Sequence, residues 1–285
     1  ANTPMDRLKN IIVAVDFSAC SRNALAQAAR IARWSGARLQ ALHVVDSSAV
    51  SDLADALRVP VEEVRAQAIH ASAHELDLWV QATGGGAETS ILTGSPLDEI
   101  LRLIRAAPTD LLVVAGTRGD LSQSDQVGTL AGSLLRKAPA KVLLVNEGGA
   151  APFRKIVACV DFSATAHLAV EQARRVASRE GGEIHCLHVF NPLLLAGHYG
   201  APLREVTAEM KLQYADALQV RLAEFVSQTK GLDLRCHVFA ASNYGQGIAG
   251  FARKIEADLI IVGARGRTNL RYVTLGSTAE RLLRV

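Results

Sequence analysis

The stretch IIVAVDFSACSRNALAQAARIARWSGARLQALHVVD, residues 11–46, decides the fold. It opens on an apolar run of strand length that Asp16-Phe17-Ser18 breaks. A helical pattern follows over about Ser21–Ser35, and Gly36 stops it. A second apolar run, Arg38–Val45, closes the unit. Strand, helix, strand, with runs apolar on both faces, describes a parallel sheet covered by helices.

Residues 155–191 repeat the pattern as KIVACVDFSATAHLAVEQARRVASREGGEIHCLHVFN. Asp-Phe-Ser-Ala and Leu-His-Val recur in the same places. Further on, DLLVVAGTRG (Asp110 to Gly119) pairs with DLIIVGARG (Asp258 to Gly266). Leu134-Leu135-Arg136 pairs with Leu282-Leu283-Arg284. Matches in one order across two halves predict a duplicated domain. The joint is Asn146 to Pro152, small residues with a proline stop, so the expected domains are 1–147 and 153–285.

In the first half the strands are expected at Asn10–Val15, Arg38–Val45, Ala87–Thr93, Leu111–Ala115 and Lys141–Val145. Helices are expected near Ser21–Ser35, Val61–Thr83, Pro96–Ala107 and Thr129–Lys137. Alternation of this kind predicts an α/β fold: two tandem doubly wound five-stranded parallel-sheet, Rossmann-like domains. The second half has no counterpart of Lys141–Val145, so its sheet is expected to lack the last edge strand.

The chain has 285 residues, 49% hydrophobic and 21% charged, which is ordinary for a globular protein of two domains. A net charge of +3 is too weak to argue for nucleic acid. No apolar run approaches 20 residues, so no membrane span is expected. Residues 1–10 lack the apolar core of a signal peptide, which favours a cytoplasmic location. The cysteines, Cys20, Cys159, Cys186 and Cys236, form no CxxC and read as reduced core thiols.

In a doubly wound sheet ligands sit beyond the carboxyl ends of the strands, where strand order reverses. The candidates are therefore Asp161-Phe162-Ser163, His188-Val189, and the run Gly263 to Ser277. Glycines at a strand exit let backbone N–H groups approach an oxyanion, and a helix start adds partial positive charge. Arg265, Arg267 and Arg271 in the same loop favour an anion.

These residues resemble the universal stress protein family. The family's nucleotide motif, G-x2-G-x9-G-(S/T), is matched by Gly263, Gly266, Gly276 and Ser277, with Asp161 and Val189 at the matching strand ends. The resemblance covers nearly the whole chain as two copies. It implies ATP, AMP or ADP in the strand-end crevice, with or without Mg. Carried over, Asp161 would meet the ribose or adenine region, and backbone at Val160 and Val189 the adenine edge. Gly263, Arg265, Gly266, Arg267, Gly276, Ser277 and Thr278 would line ribose and phosphates, with Ser163 beside them. The second, degenerate set is Val15, Asp16, Ser18, Val44, Gly116, Arg118, Gly119, Gly128, Thr129 and Leu130. Its spacing is G-x2-G-x8-G-T, one residue short, and its loop Asp120–Val127 carries two acids and no base. Stronger binding is therefore expected in the second half. The resemblance also implies pairing through the last edge strand, so the second sheet is expected to be covered by the linker or the first half's edge within the chain, or else by a homodimer.

Other features are discounted. His43 and His188 lie in strand runs and read as core imidazoles. His70 and His74 stand four apart on a helix without a third ligand, so no metal is expected. Asp16 and Asp161 have no His or Lys beside them, so ligand anchoring is preferred over acid–base work and no catalytic residue is assigned. Trp34 and Trp79 read as packing residues. Two other functions stay open: a slow ATP hydrolase on the same fold, and a nucleotide-free interaction scaffold. Asp-Phe-Ser-Ala speaks against ATP-pyrophosphatase chemistry, which needs Ser-Gly-Gly-x-Asp-Ser there, and no G-x4-G-K-(S/T) is present.

Overall fold

A computed structural model describes residues 8–116, 129–146, 150–192, 207–227, 234–264 and 276–283. The chain divides into two compact units, Ala1–Ala151 and Pro152–Val285.

In the first unit the strands are β1 (Asn10–Ala14), β2 (Arg38–Asp46), β3 (Ala87–Gly94), β4 (Leu111–Ala115) and β5 (Lys141–Val145). They form one parallel sheet in the order β3-β2-β1-β4-β5. The helices are α1 (Ala19–Ser35), α2 (Ser47–Leu57), α3 (Val61–Ala82), α4 (Pro96–Ala106) and α5 (Thr129–Lys137). Helix α2 is an addition to the expected elements. Asp46 caps it, accepting from the Ser48 N–H, and Arg58 ends it in the left-handed region.

The second unit repeats the plan. Its elements are β6 (Lys155–Cys159), α6 (Ala164–Glu180), β7 (Glu183–Phe190), α7 (Ala208–Ser227), β8 (Leu234–Ala240), α8 (Tyr244–Ile255), β9 (Leu259–Ile261) and α9 (Ser277–Leu282). The sheet is parallel, in the order β8-β7-β6-β9. As expected, no fifth strand lies beyond β9 among the described residues. The physical mark of this is burial: Leu111–Val114 of β4, flanked by β5, are buried, whereas all of β9 is half-buried.

Both units use one device to start the sheet. The Asp110 carboxylate accepts from the Lys9 and Asn10 N–H groups at 2.8 and 2.9 Å. Asp258 accepts from those of Arg154 and Lys155, both at 2.8 Å. An acid leading one strand thus fixes the entry of its neighbour, satisfying donors before the ladder begins. Apolar residues of alternate strand positions pack beneath the helices: Ile12, Leu42 and Leu112 against Ile100 and Ile104 of α4, and Val157 and Leu187 against Ile248 and Phe251 of α8.

Candidate functional site

Strand order reverses between β1 and β4, and between β6 and β9. Such a reversal is where a doubly wound sheet offers a crevice at its strand exits.

The Asp-Phe-Ser loop has the same build in both units. Asp161 Oδ1 accepts from the Ser163 N–H at 3.0 Å, and Asp16 from the Ser18 N–H at 3.0 Å. The residue between them is left-handed: φ is 63° at Phe162 and 60° at Phe17. A bulky side chain there stores strain, and its surroundings must hold it. Phe162 lies 4.5 Å from the His188 ring and edge-on to Phe225 of α7, with Arg221 4.2 Å above its face. Phe17 lies 4.5 Å from His43 and edge-on to Trp79 of α3. Trp79 is thus a packing residue, and part of the loop's support.

The two histidines are near-core imidazoles with a definite task. His188 Nδ1 donates to the Val160 carbonyl at 2.7 Å, and His43 Nδ1 to that of Val15 at 2.7 Å. The carbonyl only accepts, so Nδ1 carries the hydrogen. The Val160 N–H donates to Leu187 O at 2.8 Å, and that of Val15 to Leu42 O at 2.8 Å. The backbone at Val160 and Val15 is therefore already engaged. Val189 differs. Leu187 turns its carbonyl toward β6, and successive strand residues alternate, so Val189 presents its N–H and C=O past the end of β6. Val44 stands likewise past β1. Of these two expected positions, Val160 is engaged by the ladder and by His188, whereas Val189 lies beyond the paired part of β6.

Ser18 and Ser163 are the N-caps of α1 and α6, accepting from the N–H groups of Ser21 and Ala166. Burial alone would raise the Asp16 carboxyl. Hydrogen bonds from the Ser18 hydroxyl and N–H, with Ser21, outweigh it and hold Asp16 below the usual carboxylate range.

Gly263 approaches the Asp161 loop closely. A Cβ on it would stand 2.8 Å from Thr165 Oγ1, which itself lies 3.0 Å from Ser163 Oγ. Close packing on Thr165 is thus one reason for this glycine, whatever the ligand. Thr165 is the contact that sequence reading missed. Its signal was the change from Cys20 to Thr165 at matching positions. The Gly276 N–H donates to Ala264 O at 2.7 Å, tying the start of α9 to the exit of β9. Gly276, not Ser277, is the N-cap residue of α9, and no side chain caps that helix. Capping therefore does not occupy the Ser277 hydroxyl; Thr278 follows it, half-buried. Helix α8 supports both sides of the crevice. A Cβ on Gly247 would stand 2.8 Å from Val189 Cγ1, and one on Gly245 2.7 Å from the Arg281 carbonyl carbon of α9.

The first unit is out of phase. Ile11 pairs with Leu111 and Ile156 with Leu259, which sets Ala115 at the position of Gly263 and Gly116 at that of Ala264. Gly128 and Gly276 each stand eighteen residues after the strand-leading aspartate. The path from strand to helix is therefore equal in length; the first two glycines are displaced by one residue. Gly116 packs on Asn146, whose Oδ1 would lie 2.5 Å from a Cβ there. Thr129 and Leu130 open α5, with Leu130 exposed. Arg118, Gly119, Gly128, Arg265, Gly266, Arg267 and Arg271 lie outside the described residues.

Among the described residues no group of three or more His, Cys, Asp or Glu is arranged to hold a metal. No helix there is long and apolar enough to cross a membrane. The four cysteines form no disulfide, and burial pushes Cys159 and Cys186 up to about 12.

The profile of the Universal stress protein family matches residues 7–146 and again 152–285. A universal stress protein of Mycobacterium tuberculosis is 26% identical over 299 residues, covering 96% of this chain and 91% of the relative. The crystal structure of a universal stress protein from Archaeoglobus fulgidus superposes with a TM-score of 0.65 at 20% identity, covering 96% of this chain and 94% of that one. Another A. fulgidus universal stress protein, solved in complex with dAMP, covers 48% of this chain and 97% of its own at 21% identity, with a TM-score of 0.37. With both halves matched in full, the chain belongs to the universal stress protein family, as two tandem copies.

Proposed function

We propose that this chain binds an adenine nucleotide, ATP or its mono- or diphosphate, in the second unit, as a stress-response or signalling protein with little turnover. The observation that carries the reading is the meeting of three segments at one strand reversal. Asp161–Ser163 touches Gly263 through Thr165, Ala264 binds Gly276, and α8 packs against both Val189 and α9. In sequence, these are the positions at which the family's nucleotide motif stands complete. Asp161 suits the ribose or adenine, Val189 backbone the base edge, and Gly276-Ser277-Thr278 the phosphates. Arg265, Gly266 and Arg267 complete the motif on the same loop.

Asp161 accepts from the Ser163 N–H, an engagement that suits an anchoring carboxylate, and the reading is therefore binding. The first unit is read as the weaker site: its glycines are one residue out of phase, and acids replace the arginines. The same family reading takes the chain to be cytoplasmic and able to form a homodimer.

Calorimetric titration with ATP, ADP and AMP tests this, together with mass spectrometry of whatever heat releases from the purified chain. One tight nucleotide per chain is expected, lost in Gly276→Val and weakened in Asp161→Ala, with phosphate release near background. Unchanged stoichiometry and affinity in both variants would remove the assignment. Fast, mutation-sensitive phosphate release would favour the hydrolase instead.

A further inference from the structure

Away from the strand exits, toward the beginnings of β7 and β8, the second unit holds a cluster that the nucleotide reading does not use. His185 Nε2 lies 3.0 Å from Glu183 Oε1, and His185 Nδ1 lies 3.0 Å from His237 Nε2. The two rings stack with centroids 5.1 Å apart. Phe251 of α8 packs on both, at 4.9 Å from His237 and 6.3 Å from His185. His185 is buried and His237 half-buried.

The hydrogen count in this chain of contacts is fixed. The Glu183 carboxylate also takes Arg235 at 2.8 Å, so it is the acceptor, and His185 Nε2 must carry a hydrogen. The 3.0 Å gap between the imidazoles then accommodates one hydrogen, on either ring. Two N–H groups facing each other there would lose the bond and oppose two cations inside the sheet.

We propose that His185 and His237 form a one-proton latch that joins edge strand β8 and helix α8 to β7, and that acidification releases it. The groups facing the pair are Glu183 on β7, Arg235 on β8 and Lys254 on α8, with Lys155 of β6 reaching Glu183. Lys155 is itself paired with Glu256 at 3.6 Å. A single carboxylate thus faces two arginine or lysine charges and both rings, so a second proton meets net repulsion. Burial, then His185, Arg235 and Lys254, hold His237 below the ordinary imidazole range. The sign follows. A base depressed by folding binds fewer protons in the native state than in the unfolded one between the two pKa values. The latch is therefore intact above about pH 6.5 and weakens as pH falls below it.

Hydrogen exchange of the full chain, read at several pH values from about 8 to about 5 and corrected for intrinsic rates, tests the latch. Residues 234–255 should lose protection relative to β1–β4 of the first unit, approaching about tenfold per pH unit at the steepest. His237→Gln keeps an N–H for His185 Nδ1 at every pH, so its relative protection should stay flat. A flat wild-type profile, or a His237→Gln profile that follows the wild type, overturns the proposal. Should that variant fail to fold, long-range 1H–15N spectra of the wild-type rings decide. Linked titration of His185 and His237 supports the latch, and two independent ordinary titrations overturn it. Neither outcome depends on whether nucleotide binds.

Discussion

His188 donates from Nδ1 to the carbonyl of Val160 at 2.7 Å, tying the exit of β7 to that of β6 just ahead of Asp161. The imidazole is buried, so removal of the donor leaves a buried carbonyl short of a partner. His188→Leu is expected to destabilise the second unit by about 1–3 kcal/mol. Urea unfolding followed by a probe confined to that unit measures it. His43→Leu should do the same in the first unit, through Val15.

The contact of Gly263 with Thr165 predicts a coupled pair. Gly263→Ala places a methyl 2.8 Å from Thr165 Oγ1 and should cost about 1–3 kcal/mol through overpacking. The first unit carries Ala115 and Cys20 at the matching positions. Installing that pair, Gly263→Ala with Thr165→Cys, should therefore cost less than the sum of the single changes. A double-mutant cycle of unfolding free energies reads the difference, expected above about 0.5 kcal/mol. Strict additivity would refute the packing account.

Asp16 gives the first unit an acid-sensitive contribution. Its folded pKa lies below its unfolded value, so the stabilisation is present above about pH 4 and fades as pH falls through the folded value. Asp16 is exposed, so the effect is small, under about 1 kcal/mol after screening. The stability difference between wild type and Asp16→Asn should shrink between about pH 5 and about pH 3 in denaturant titrations.

Thiol chemistry should be slow. Burial pushes Cys159 and Cys186 up to about 12, and Cys20 is buried. At about pH 8 a disulfide reagent should label half-buried Cys236 first and the others only with unfolding. Site-resolved mass spectrometry of partially labelled chain checks the order.

Much of this was legible in the chain itself. Strands β4 and β5 lie where their apolar runs predict, and the four strands of the second sheet among the described residues match those expected from the comparison of halves. Helix α2 was not, because SSAVSDLADAL is short and follows a strand directly; its start is set by the Asp46 cap rather than by a long apolar period. Helix α1 begins two residues earlier than its periodicity suggests, because Ser18 is the cap. Glycine spacing by itself misplaced the difference between the two loops. Counting within the motif suggested a shorter loop, whereas strand register shows equal paths and displaced glycines. Strand pairing fixes which residues the count must start from, and that correspondence belongs to two strands rather than to either one alone. The contact between Thr165 and Gly263 was hidden for the same reason: nearly a hundred residues separate them in sequence.

Left-handed phenylalanine at both Phe17 and Phe162 has a consequence for the history of the molecule. Two copies sharing an unfavourable backbone state, each wedged against its own histidine and its own aromatic helix residue, point to one ancestor that already had it. The loop conformation is then older than the doubling of the gene. Thr165 against Cys20 and the displaced glycines record what changed afterwards. An engineered single unit combining the shared loop with either set of later changes would place those changes in order.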